Sequence, residues 1–201
     1  MTWIKTISLA DATGRLKTIF DRITGPSGQI DNIMSAHSLR PHTIEGHMGL
    51  YKAVLHHPHN KNPKSLLEML GVLVSHLNGC AYCVDHHFAG LKRLLQDDAR
   101  ADAIRAAIET AKYDNALSDG DLAAALYARI LTVDPAGIAE EDIEQLREAG
   151  FDDGEILEIN QVVAYFAYAN RTVLGLGVNH VGEKLGLSPN DSDDPENWSH
   201  G

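Results

Sequence analysis

The chain has 201 residues, 44% hydrophobic and 22% charged, enough for one ordinary domain with its own core and typical of a soluble globular protein. Its formal net charge of −11, with no basic run to reverse it locally, argues against a nucleic-acid or anionic-membrane surface. The N-terminus lacks a signal-peptide core and no run approaches the roughly 18 apolar residues of a membrane span, so a cytoplasmic location is expected.

Apolar residues recur at helical spacing along the chain and no alternating strand pattern occurs, so the fold class is predicted to be all-α, without a sheet. Leu9, Ala12, Leu16, Ile19, Phe20 and Ile23 predict a helix over 8–23 with Ser8 as its cap, and Gly25-Pro26-Ser27-Gly28 breaks it. A short helix over 31–36 follows. The next starts at Arg40-Pro41 and reaches about Leu55, with the stripe Ile44, Met48, Tyr51, Val54 and Leu55. Residues 56–63 form a polar, proline-bounded loop; its His56, His57 and His59 are loop polarity first and metal ligands second. The helix predicted over 63–77 is apolar nearly all round, as a central buried helix is, and it carries the carboxylate of Glu68. Further helices are expected over 80–95, 99–113, 118–134, 139–149 and 152–174, with a short one near 181–185.

Residues 1–187 are expected to form a single helical domain whose redox core is about 64–95. The tail 188–201 is acidic and rich in Ser, Asp and Pro, hence weakly ordered unless Trp198 docks on the domain or a partner. Glu158 precedes Asn170 by the spacing that separates Glu68 from Cys80, which either an internal duplication or chance produces.

The chemistry concentrates in Ser75-His-Leu-Asn-Gly-Cys80-Ala-Tyr-Cys83-Val-Asp-His-His87, which holds both cysteines of the chain. Asn78-Gly79 reads as a helix stop, so the thiols fall at the start of a new helix, where the helix dipole favours thiolate. Cys80, Cys83 and His87 stand at i, i+3 and i+7 on one stripe, and the imidazole leans back toward its i−4 neighbour Cys83. Cys80 lies roughly 10 Å from His87 along the axis, so Cys83 is the better partner for a His87 base.

Two cysteines in a reducing compartment read as catalytic or metal-binding rather than as a structural bridge. A dithiol cycling to a disulfide is the first reading. Zinc held by Cys80, Cys83 and His86 or His87, with His76 or a carboxylate as fourth ligand, is the rival. Val84 follows Cys83 where c-type haem attachment needs histidine, which excludes haem. A non-redox lyase using Glu68 and His87 as acid and base is a third reading. Glu68 is expected to be either an ion-paired acid or a desolvated carboxyl of raised pKa that shares a proton with His87 or a thiol. Helical phase turns His87 to the site and His86 to solvent. It places Tyr82 and Asp85 on other faces and His47 and Tyr51 together at i, i+4; His47, Tyr51 and Tyr82 are the candidates for a pocket over the dithiol.

The pattern Glu68-x11-Cys80-x2-Cys83-x3-His87 resembles the core of the alkylhydroperoxidase AhpD-like group of the carboxymuconolactone decarboxylase-like superfamily. The likeness spans about 40–178 and is strongest over 64–95. It is closest to the peroxidase-related subgroup, through His47-Met-x-x-Tyr51 and Asn170-Arg171. The resemblance implies an AhpD-like helical bundle, a homo-oligomer (dimer, trimer or hexamer) and a cofactor-free thiol peroxidase acting on hydrogen peroxide or small organic hydroperoxides. It implies Cys83 as peroxidatic thiol, Cys80 as resolving thiol, Glu68 and His87 as proton relay, and a lipoyl-protein or thioredoxin-like dithiol as reductant. Tyr82 stands where the founding type has a second histidine, and the superfamily's decarboxylases lack the cysteine pair.

Overall fold

The computed structural model describes residues 2–113 and 116–200; Met1 and Gly201, the outer limits of the two segments drawn above, lie outside them. The described residues fold into helices, with no β-strand among them. The helices are α1 (Gly14–Ile23), α2 (Asn32–Ala36), α3 (Pro41–Tyr51), α4 (Lys64–Leu77), α5 (Ala81–Leu95), α6 (Asp98–Thr110), α7 (Asp119–Val133), α8 (Glu140–Glu148) and α9 (Asp153–Leu176). A π-helical turn, Lys52–His56, extends α3.

Helix α4 is the centre of the bundle. Every residue from Leu66 to Ser75 is buried, because α5, α6, α7 and α9 surround it. Such all-round burial is what its near-continuous apolar sequence demands. One contact sets the distance between α4 and α9. Gly71 leaves room for the Phe166 ring, and a Cβ there would lie 2.3 Å from it. Local signals account for most boundaries. Asp152 and Glu155 cap α9 reciprocally, each side chain accepting the other's backbone N–H at 2.9 and 2.8 Å. Ser118 caps α7 by accepting the Asp121 N–H at 3.2 Å.

Three expectations are corrected, and the open Glu158 match is described. Helix α1 begins at Gly14, not Ser8, because Ser8 spends its hydroxyl on a turn with Asp11 at 2.6 Å. Gly14 then enters the helix at φ +54°, a left-handed value that glycine accepts. The α3 stripe changes to a π turn after Tyr51 rather than continuing regularly to Leu55. Residues near Val181–Leu185 form turns and no helix. Glu158 does not echo Glu68; it accepts the backbone N–H groups of Lys61 and Asn62 at 3.0 Å, at the entrance to α4.

The tail packs against the domain. Trp198 is 4% exposed, and the Arg22 guanidinium lies 4.3 Å above its ring. The buried Lys52 ammonium donates to the carbonyls of Asp194 and Asn197. The His200 Nε2 meets the Ile23 carbonyl at 3.1 Å.

Candidate active site

The two cysteines sit where α4 ends and α5 begins. Gly79 takes φ +71°, Cys80 N–H donates to Ser75 O at 2.8 Å, and Gly79 N–H donates to His76 O at 3.0 Å. These paired bonds are those of a Schellman ending, so the Asn78-Gly79 stop closes α4 as expected. Cys80 becomes the N-cap of α5 and Cys83 its third helical residue, with Sγ atoms 3.0 Å apart and both thiols free. The hydrogen bond between them splits their acidities. Donation from the Cys83 thiol holds Cys80 below the usual thiol range, against burial, with help from the Cys83 backbone N–H and Asn170. The same bond, with burial and the Cys80 charge, holds Cys83 well above it. The first proton lost therefore belongs to the pair, and the negative charge rests on the helix-capping sulfur.

Asn170 supports the pair from α9. It is fully buried, donates to Ser75 Oγ at 3.0 Å and accepts from Asn78 Nδ2 at 2.9 Å. In the sequence, the Asn170-Arg171 pair and the spacing from Glu158 single it out, and neither points to the thiols.

On the other side of Cys83 lies a cavity of about 460 Å³. Cys83, Glu68, His87, His47, Tyr51 and Tyr82 all line it, so the structure brings together every expected site residue except Cys80, which stands behind Cys83. Cys80 is 0% and Cys83 3% exposed. His87 Nδ1 lies 2.7 Å from Glu68 Oε2, both side chains being largely buried. With Nδ1–H donating to the carboxylate, Nε2 is the basic nitrogen. Burial pushes the Glu68 carboxyl up, but the His87 charge and hydrogen bond, with His56 and Arg93, outweigh it. Glu68 is therefore held below the usual carboxylate range, which favours the paired acid over the carboxyl of raised pKa, its partner being His87. Gly90 makes room for the acid: a Cβ there would stand 3.3 Å from its carboxyl group. Phe166 meets the His87 ring edge-to-face at 4.5 Å and fixes its orientation.

Two placements differ from those expected, those of His86 and His56, and Tyr82 joins the pocket for which it was a candidate. His86 does not face solvent; it lines the cavity, 3.7 Å from Glu183 Oε2 and packed on Tyr82. Tyr82 belongs to the cavity wall, its hydroxyl donating to Glu183 Oε1 at 2.9 Å, while Glu183 also accepts the Asn32 backbone N–H. His56 leaves the polar loop, buried at the end of the π turn, whereas His57 and His59 pair their rings outside it. For the zinc rival, His76 is exposed, and no three His, Cys, Asp or Glu among the described residues are grouped as a metal site.

Residues 41–128 match the model of the carboxymuconolactone decarboxylase family. No curated protein matches the sequence at a significant level. Among solved structures, the chain is similar to an uncharacterized peroxidase-related protein with an alkylhydroperoxidase AhpD core from Ralstonia eutropha JMP134 (TM-score 0.78, 22% identity, covering 89% of this chain and 91% of that one). A peroxidase-related protein from Silicibacter sp. TM1040 is comparably similar (TM-score 0.77, 23% identity, 89% and 91% covered). So is a cysteine-to-alanine variant of the debrominase Bmp8 in complex with 2,3,4-tribromopyrrole (TM-score 0.71, 18% identity, 89% and 91% covered). The chain therefore shares the helical fold of these proteins, and its segment 41–128, which carries the dithiol, matches the carboxymuconolactone decarboxylase family model.

Proposed function

We propose that this protein is a thiol-dependent peroxidase that reduces hydrogen peroxide or small organic hydroperoxides through a Cys80–Cys83 dithiol/disulfide cycle. The observation that carries the reading is the placement of Cys83, which alone of the two sulfurs reaches the cavity containing the Glu68–His87 pair. The proton of Cys83 passes along the S–H···S bond to Cys80, leaving thiolate on the sulfur that meets substrate. That thiolate attacks the nearer peroxide oxygen, the O–O bond breaks, and the departing alkoxide or hydroxide takes the proton that His87 Nε2 accepted when the thiol pair first ionised. The product is a sulfenic acid on Cys83. The Cys80 sulfur then displaces its hydroxyl as water and closes the disulfide. An external dithiol, of the lipoyl or thioredoxin type, returns two electrons and two protons.

The roles are tested by thiol titration before and after stoichiometric peroxide, with single cysteine variants. Cys83→Ser is expected to abolish turnover with the fold intact, and full activity in that variant would sink the mechanism. Glu68→Gln is expected to slow it by about 10² to 10⁴-fold, the range of a proton relay. Activity surviving loss of both cysteines would instead favour the Glu68–His87 lyase.

The cavity favours a second reading as well. It is far larger than hydrogen peroxide needs, and a protein of the same fold is a debrominase. A thiolate can take halogen from an activated carbon, a proton replaces it there, and the second thiol displaces halide to form the same disulfide. Halide release from a bromopyrrole, measured beside peroxide turnover, separates the two. A homo-oligomer is part of the proposal: Leu126 and Val133, seven residues apart on α7, are 41% and 60% exposed. Light scattering of the purified protein is expected to give a mass above 21.9 kDa.

A further inference from the structure

The cavity beside Cys83 is larger than the chemistry at its sulfur requires, and its far end is built. A volume of about 460 Å³ is that of a site for an organic molecule, within the roughly 300–1,000 Å³ of small-molecule pockets. The wall between its two ends is a run of rings. His87 meets Tyr51 at 6.4 Å between centroids, Tyr51 stacks on Tyr165 at 5.7 Å and 29°, and Tyr51 meets His56 edge-on at 4.8 Å.

His56 ends this run. It is 5% exposed and lines the cavity, and its Nε2 is buried without a hydrogen-bond partner. Buried polar nitrogens are nearly always paired, so an orphan inside a cavity marks the place of a ligand group. The backbone that delivers it is also unusual. His56 closes the π turn Lys52–His56, in which four of five residues are buried, and single π turns recur at functional sites. Burial keeps His56 neutral, with its pKa lowered to about 4, and the charges around it are mixed, Glu68 and Asp191 against His87 and Lys64, so they select neither an anion nor a cation.

We infer that the cavity binds an uncharged, flat aromatic molecule, laid along the Tyr51 ring from Cys83 to His56, with its hydroxyl or N–H group hydrogen-bonded to the His56 nitrogen. The inference deepens the proposed thiol chemistry by naming the class of molecule presented to Cys83, and it rests on that reading. His56 is here a specificity residue of the pocket wall, reached from His87 across the Tyr51 ring.

Binding of p-cresol, toluene and p-toluate to the reduced 201-residue protein tests it, with hydrogen peroxide turnover measured on the same samples. The expected result is p-cresol binding at least tenfold tighter than toluene, which lacks only the hydroxyl, and at least tenfold tighter than anionic p-toluate. In His56→Phe, which keeps a ring and loses the nitrogen, p-cresol should fall to the affinity of toluene. Should that variant fold poorly, the ¹⁵N resonance of the wild-type His56 ring is expected to move on p-cresol addition and not on toluene addition. Equal binding of p-cresol and toluene, a preference that persists in His56→Phe, tight p-toluate binding or an unmoved resonance would each overturn the inference. Those outcomes with peroxide turnover intact sink the ligand assignment alone. Selective p-cresol binding without any thiol turnover sinks the peroxidase reading alone.

Discussion

Three buried titrating side chains make the native state sensitive to acid. His47 is lowered to about 3 by burial and the neighbouring His37 charge, and His56 to about 4, mainly by burial. Below their ordinary value of 6.5 the unfolded chain binds protons that the native chain refuses, so stability falls as the pH drops from 6.5 toward these values. Glu68 acts in the same direction: its contribution is present above 4.5 and is lost as pH falls through its lower native value. The two imidazoles should each cost on the order of 2 to 3 kcal/mol between pH 7 and about 4.5. Urea unfolding at the two pH values is expected to show this loss, with a smaller loss in His47→Phe; equal midpoints at both would contradict it. The thiols give a second residue-level test. Cys83→Ala removes the hydrogen that holds Cys80 down, so thiolate absorbance at 240 nm should appear at higher pH than in the wild type. An unchanged titration would mean that the helix start alone sets the acidity of Cys80.

At the level of elements, the contact of α4 with α9 carries the site. Gly71→Ala forces the Phe166 ring from its seat, and Phe166 orients His87. The expected loss is about 2 to 3 kcal/mol of stability, as for overpacked cores, with a fall in peroxide turnover. A wild-type urea midpoint in this variant would show that the helices separate freely. Helix identity was legible in the sequence because Leu66 through Ser75 declare burial by composition, and caps such as Ser118, Gly79 and Asp152 mark their own positions. The pairing of Glu68 with His87 was half legible. Spacing placed each residue, but the ionised state of the acid depends on charges from other elements, among them His56 and Arg93. The π turn was not legible, since Lys52–His56 carries ordinary helix-forming spacing and the extra residue per turn is set by what surrounds it.

For the whole molecule, the decisive feature is that the end of the described chain closes the pocket. Gly186, Leu187, Pro189, Asn190, Asp191 and His200 line the cavity, held there by Trp198 and by the Lys52 ammonium. Acidic, Ser- and Pro-rich composition argued for weak order. Trp198 and Arg22, 176 positions apart, reverse that, and such a contact has no local signature in sequence. Trp198→Ala should remove about 3 to 5 kcal/mol of docking free energy, the usual range for a buried Trp. Cys83 alkylation by iodoacetamide is then expected to accelerate, with faster hydrogen exchange over 186–200. Unchanged alkylation would show that substrates reach the sulfur by another route.

The N-cap position of Cys80 also bears on electron transfer. A thiolate held by a helix start is lost when the pair oxidises, because a disulfide carries no charge to cap the helix. Whatever favours that thiolate therefore favours the reduced state and makes the disulfide a stronger oxidant, by about 30 mV for each tenfold of stabilisation. In the proposed cycle, reduction by a donor dithiol is thereby made more favourable.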